Sequence, residues 1–227
     1  MANQIATVNG IAIASIANIN GITDANLAKL NGREFTGTLP DSHTLIASAT
    51  ISNSANITFS TGIDSTYDLY EFRFINIHPV GHANMFGWPA NALGGSGFNE
   101  TVTQTQFRSR RYESGTHSGS ITDRKIEGEG TGQYANATTP YIRMNRSIGV
   151  DNDHSLSGTL HIYRPSNTAS VTVYHSKVVS SNHDQAADIH YSNGYINNAA
   201  AIDEIDFKMD VNNLQTGTIK LYGLSLS

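Results

Sequence analysis

Leu69-Tyr70-Glu71-Phe72-Arg73-Phe74-Ile75-Asn76-Ile77 is the stretch on which the fold turns. Apolar and polar residues alternate along it, with Leu69, Phe72 and Phe74 sharing a face once one bulge is allowed. Alternation at a period of two is the signature of a strand with one buried side. Aromatic and β-branched residues supply most of its apolar positions, and these favour a pleated, half-buried surface.

Outward from this segment the pattern is strand after strand. Residues 43–51 and 56–59 are short β candidates separated by Ser-Asn-Ser-Ala. Residues 100–108 continue with Val102 and Phe107 among threonines and glutamines. In Leu-Ser-Gly-Thr-Leu-His-Ile-Tyr, residues 156–163, Leu156, Leu160 and Ile162 fall on one side. Residues 171–175 follow a Pro-Ser-Asn turn. Residues 202–209 and 218–224 read as a pair joined by a polar turn around Asn212 and Asn213, with Gly217 permitting the turn before the last strand. Many short strands with regular turn signals predict an all-β fold, an antiparallel β-sandwich of jelly-roll type.

Composition agrees and narrows the function. The chain has 227 residues, 38% hydrophobic and 15% charged, enough for one good-sized β domain with an appendage. A net charge of −5 argues against a nucleic-acid partner, which selects a basic patch. There is no cysteine, so disulfides, thiolate metal sites and cysteine nucleophiles are excluded. No apolar run has membrane-spanning length and no secretory leader is evident, which predicts no membrane insertion and folding in a cytoplasm.

The first residues carry an internal repeat. Ile5-Ala-Thr-Val8-Asn-Gly10, Ile16-Ala-Asn-Ile19-Asn-Gly21 and Leu27-Ala-Lys-Leu30-Asn-Gly32 align at a spacing of eleven. Each unit offers two apolar residues three apart, then an Asn-Gly turn signal. Either a helical turn ending on glycine or a short strand and turn satisfies that spacing. One unit cannot bury its own apolar face, so Ile5, Val8, Ile11, Ile16, Ile19, Ile22, Leu27 and Leu30 are expected to form an assembly or anchor surface. The expected organisation is an anchor over residues 1–36 and a sandwich over residues 37–227.

Several motifs carry a resemblance. Tyr67-Asp-Leu-Tyr-Glu-Phe72, Gly94-Gly-Ser-Gly-Phe-Asn99, residues 157–163, Ile202-Asp-Glu-Ile-Asp-Phe207 and Gly217-Thr-Ile-Lys-Leu-Tyr-Gly223 resemble a recurrent pattern in virion proteins of marine cyanophages and related tailed phages. The resemblance implies a jelly-roll module of a head decoration, tail or fibre component. It also implies a homotrimer partnered with other phage structural proteins, located in the virion. It brings no catalytic residues and no cofactor.

Several constellations could carry chemistry. Glu204-Ile-Asp206-Phe-Lys-Met-Asp210 resembles the Glu-Ile-Asp-x-x-Glu signature of laminarinase-type glycoside hydrolases, where a carboxylate pair flanks the scissile bond. Asp210 departs from that pattern by a methylene, and Trp88 is the single tryptophan. An amphipathic strand with Ile205, Phe207 and Met209 inward is the stronger reading, so no enzymatic activity is expected. His78 and His82, and His183 and Asp184 with Asp188 and His190, have no metal-motif spacing and read as solvent-facing loop residues; no metal is expected. Glu127 and Glu129 read as a charged hairpin edge. Phe86, Trp88 and Phe98 could form a stacking platform that, with Arg110 and Arg111, contacts a host surface glycan. The same rings could instead close one end of the core. The Arg108–Tyr112 basic cluster reads first as a solvated strand end.

Overall fold

A computed structural model describes residues 43–115 and 141–225 with their side chains; it adds the backbone of residues 120–123 and 133–134 and of six two-residue strands before residue 35. The chain divides into two units, Met1–Ser42 and His43–Ser227, and each is described by itself. Among the described residues there is no helix.

In the first unit the repeat is resolved as three antiparallel strand pairs. β1 (Thr7–Val8) pairs antiparallel with β2 (Ile11–Ala12), β3 (Asn18–Ile19) with β4 (Ile22–Thr23), and β5 (Lys29–Leu30) with β6 (Arg33–Glu34). Val8 opposes Ile11, Ile19 opposes Ile22 and Leu30 opposes Arg33, so two residues join each pair. Those two residues are Asn-Gly every time, the dipeptide best suited to a two-residue hairpin. The helical alternative is set aside by this register. Ile5, Ile16 and Leu27 lie outside the described residues.

The second unit holds two antiparallel sheets. Its strands are β7 (Thr44–Ser54), β8 (Asn56–Phe59), β9 (Leu69–Pro79), β10 (Phe86–Trp88), β11 (Ala90–Ala92), β12 (Val102–Tyr112), β13 (Ser120–Asp123), β14 (Gln133–Tyr134), β15 (Ile142–Arg143), β16 (Leu156–Tyr163), β17 (Val173–Asn182), β18 (Ala186–Ile196), β19 (Ile202–Met209) and β20 (Leu214–Leu224). The nine-stranded sheet runs β13-β12-β18-β17-β16-β9-β20-β7, with β14 also on β12. The five-stranded sheet is organised on β19, which takes β8 along one edge and β10 then β11 along the other, while β15 pairs β10. β10 and β11 are interrupted only at Pro89, which has no N–H to give but whose carbonyl accepts from Asp206 N at 3.1 Å.

The two sheets pack face to face on one core. Phe207 of β19 meets the rings of Phe72 and Phe74 from β9 at 4.9 and 5.2 Å, and those of Phe59 and Phe86 at 6.0 Å. The contacts between sheets are mostly edge-to-face, the arrangement that ring quadrupoles favour. Leu156, Leu160 and Ile162 of β16 and Ile219 and Leu221 of β20 complete this apolar half, all fully buried.

The decisive segment is a strand, with its bulge placed differently from expectation. Asn76 adopts φ 49°, and the β9–β16 register slips between the pairs Leu156↔Ile77 and Gly158↔Phe74. The inward set is therefore Tyr70, Phe72 and Phe74, then Ile77 after the slip. Tyr70 rather than Leu69 joins that set; its hydroxyl donates to Asp64 O at 2.9 Å, and burial raises its pKa to about 12. Asparagine tolerates the left-handed conformation that such a bulge requires.

Two further expectations are corrected. β19 and β20 do not pair: the turn through Asn212, at φ 63°, carries the chain from one sheet to the other. β20 instead lies between β9 and β7. Gly217 sits inside β20 at a slip in register, with φ 134°, and serves a bulge rather than a preceding turn.

Candidate functional site: a polar interior and an open sheet face

β12, β17 and β18 turn an unusual set of side chains inward. Gln104, Arg108 and Arg110 alternate along β12, Asp188, His190 and Ser192 along β18, and Ser176, Ser180 and Asn182 along β17. The register sets Arg110 opposite Asp188 and Arg108 opposite His190. Arg110 grips Asp188 with two parallel bonds, Nε to Oδ1 at 2.7 Å and Nη2 to Oδ2 at 2.8 Å. Asn182 Nδ2 adds a third bond to Oδ2 at 2.9 Å. The Asp188 side chain is 0% exposed. Burial alone would raise its pKa, but His190 and the Arg110 fork prevail and hold the carboxyl well below its usual range. Burial also lowers the pKa of His190, against the opposing pull of Asp188.

The network continues to the β17–β18 turn. Arg110 Nη1 donates to Tyr112 Oη at 3.0 Å and to Asp184 Oδ2 at 2.9 Å. His183 Nε2 is 3.0 Å from Asp184, and its Nδ1 bonds Ser147 Oγ at 2.8 Å. His82 meets His183 edge to face at 5.2 Å. Burial lowers the pKa of His183, with Asp184 opposing and His82 and Arg110 reinforcing. The end of β15 and the residue after it close on this polar half: Gln104 and Gln106 Nε2 donate to the carbonyls of Arg143 and Met144 at 3.0 and 3.2 Å.

The opposite, outward side of the nine-stranded sheet carries partly exposed side chains among the described residues. One cross-strand row runs Tyr222, Glu71, His161, His175 and Asn193 on β20, β9, β16, β17 and β18. Glu71 is 6% exposed, and its carboxylate accepts from Arg73 Nε and, at 2.8 Å, from His161 Nε2. Burial would raise its pKa, but Arg73 and His161 lower it below the ordinary value. His161 and His175 stack at 4.5 Å, and Arg73 lies over the Tyr222 ring at 4.4 Å. Burial, helped by His161, lowers the pKa of His175. The next row stacks Phe107 on Tyr191 at 4.8 Å, with Lys177 5.7 Å from the Tyr191 ring. Leu45, Ile75, Phe107, Val173, Val179 and Tyr195 also point outward here, each between 40% and 52% exposed. Such a face offers a broad binding surface of rings, apolar side chains and hydrogen-bonding groups.

The residues singled out in the sequence are distributed as follows. Phe86 and Trp88 are 0% exposed in the core, Trp88 edge-on to Tyr174 at 5.0 Å, so they offer no stacking platform. Both lie on β10, whose short pairing with β19 turns their side chains between the sheets. Phe98 is half-buried on a separate loop. Arg110 faces the interior ion pair while Arg111 faces solvent, because successive strand residues take opposite sides. The solvated reading of the basic cluster thus holds for Arg111 and fails for Arg108 and Arg110. Asp188 and His190 are likewise buried strand residues, not loop residues. The two histidine groups do meet, through His82 and His183. Glu127 and Glu129 lie outside the described residues.

The carboxylates of β19 serve hydrogen bonds within the fold. Asp206 Oδ1 accepts from Asn56 Nδ2 and Thr58 Oγ1, both at 2.7 Å; Glu204 Oε2 accepts from Asn91 Nδ2 at 3.0 Å; Asp210 Oδ1 accepts from Met85 N at 2.8 Å. Ile205, Phe207 and Met209 are buried, the amphipathic strand that the stronger reading describes. No helix among the described residues is long and apolar enough to cross a membrane. No protein-family model, curated protein or solved structure matches the chain.

Proposed function

We propose that the chain is a non-enzymatic structural component of a tailed-phage particle, a jelly-roll module attached by its N-terminal hairpins. The observation that carries this reading is the outward face of the nine-stranded sheet. Six large apolar side chains stand exposed on it, whereas isolated exposed apolar residues are the ordinary case. The repeat adds a second assembly element, since a two-residue hairpin buries almost nothing by itself. Several such hairpins along one chain, multiplied by copies in a homotrimer, would bind other phage structural proteins through avidity. The laminarinase-like reading loses support because each of its three carboxylates already holds a neighbouring strand or loop.

Gold-labelled antibody against the chain, imaged on intact particles, tests the proposal. Label on the head, tail or fibres is the expected result, and bare particles overturn it. Label confined to tail appendages would favour a host-glycan adhesin. In that case the contact residues would be the outward rings and cations, Tyr191, Tyr195, Arg73 and Lys177, rather than Trp88.

A further inference from the structure

We propose that Asp151, Asp153 and His154 form a binding site for a divalent transition-metal ion. They lie on the turn that leads into β16, where His154 N donates to Asp151 O at 2.9 Å. The turn gathers one ligand atom from each side chain within 4.8 Å of the others. The carboxylates face solvent, with side chains 63% and 66% exposed, while the imidazole is 0% exposed.

The burial of the imidazole is what makes this more than an acidic turn. His154 Nδ1 is out of water and has no hydrogen-bond partner among the described residues. It lies 3.9 Å from Asp151 Oδ2, and Nε2 lies 3.9 Å from Asp153 Oδ1. Both gaps exceed the roughly 3.2 Å limit of a hydrogen bond. Two ligand atoms on one ion, each bonded at about 2.0–2.2 Å, are themselves separated by roughly 3–4 Å. The two ring nitrogens face apart, so one ion spans the first gap, between Nδ1 and Asp151 Oδ2, and the exposed Asp153 carboxylate, with a ligand atom within 4.8 Å, completes the set.

The surroundings hold the ring in place. A Cβ at Gly149 would come within 2.0 Å of Nδ1, so only glycine lets the imidazole lie there. His78 Nε2 is 3.1 Å from the Asp151 carbonyl, which fixes the turn, and the Gln185 amide approaches Nε2 at 3.4 Å. One imidazole with two carboxylates suits a first-row ion such as Zn²⁺ or Mn²⁺; Ca²⁺ prefers an all-oxygen set. Bound there, the ion would tie the exposed turn to the buried ring beside the β17–β18 hairpin.

The test uses the full chain, stripped with chelator and titrated with zinc chloride and, separately, manganese chloride by calorimetry. One ion per chain is expected, with Tm rising about 5 °C at roughly 100-fold excess over Kd. The double variant Asp151→Asn/Asp153→Asn should keep the metal-free Tm, because both side chains are exposed. It should weaken binding at least about 100-fold. Absence of binding by either ion at millimolar concentration would overturn the proposal. So would undiminished binding in the double variant, which would put the ion elsewhere, as at His82 and His183.

Discussion

Asp188→Ala is expected to lower the unfolding free energy by about 3–5 kcal/mol, the usual cost of breaking a buried ion pair from one side. The substitution leaves the Arg110 guanidinium, 10% exposed, without the carboxylate that takes two of its donors. Asn182 and His190 lose the same partner. Against a domain stability of roughly 5–15 kcal/mol, the loss is a large fraction of the whole. A urea titration measures it, and a midpoint within about 0.5 kcal/mol of wild type would show that the pair is solvated. Replacing Asp188 and Arg110 together by leucine and methionine should recover only part of the loss, because Arg108, 7% exposed and 3.7 Å from Asp188, still loses that carboxylate.

The same pair sets the response to acid. Asp188 has a folded pKa depressed below its unfolded value, so its contribution is fully present above about pH 4 and falls as pH drops toward the folded value. His190 is also depressed, so the unfolded chain takes up its proton first and stability begins to fall below about pH 6.5. Wild type should therefore lose stability on acidification in two stages. The Asp188→Ala variant should show a smaller lower stage, with Glu71 still contributing to it, read as urea midpoints at a series of pH values.

Phe207→Ala should have an effect of similar size, about 3–5 kcal/mol, by a different cause. Phe207 is 0% exposed and its ring touches Phe59, Phe72, Phe74 and Phe86, which come from both sheets. Truncation would empty the centre of the sandwich, and neighbours held on two sheets cannot all close on the space. Phe207→Leu should recover more than half of the loss. An alanine variant within about 1 kcal/mol of wild type would contradict the face-to-face packing.

How much of this was legible in the sequence depended on what each strand turns inward. β9, β16 and β19 bury apolar residues at period two, so Phe72, Leu160 and Phe207 announced themselves. β18 buries Asp188, His190 and Ser192, and β12 buries Gln104 and Arg108 and half-buries Arg110. A hydrophobic period shows β12 only through Val102 and Phe107 and does not reveal β18, so the sequence alone places these histidines and arginines in loops and solvent. The missed signal was charge at the same period: Arg108 with Arg110, and Asp188 with His190, are two apart. Trp88 was ambiguous because a short strand broken by Pro89 gives no period at all. Nearness in sequence suggests that β20 pairs with β19, while Asn212 turns the chain across the sandwich. The repeat was legible in its spacing, but choosing between helix and hairpin required the pairing of Val8 with Ile11.

The proposed division of labour between an N-terminal anchor and the β domain is tested most directly by particle incorporation. Cells infected by a phage lacking the gene would supply either the full chain or the chain without residues 1–36. Particles purified on a density gradient would then be probed for the protein, with circular dichroism of the truncated chain as the folding control. The full chain is expected in the particle band, and the truncated chain in the lysate but folded as a β domain. Truncated protein in the particle band at the level of the full chain, or full-length protein missing from it, would contradict the account.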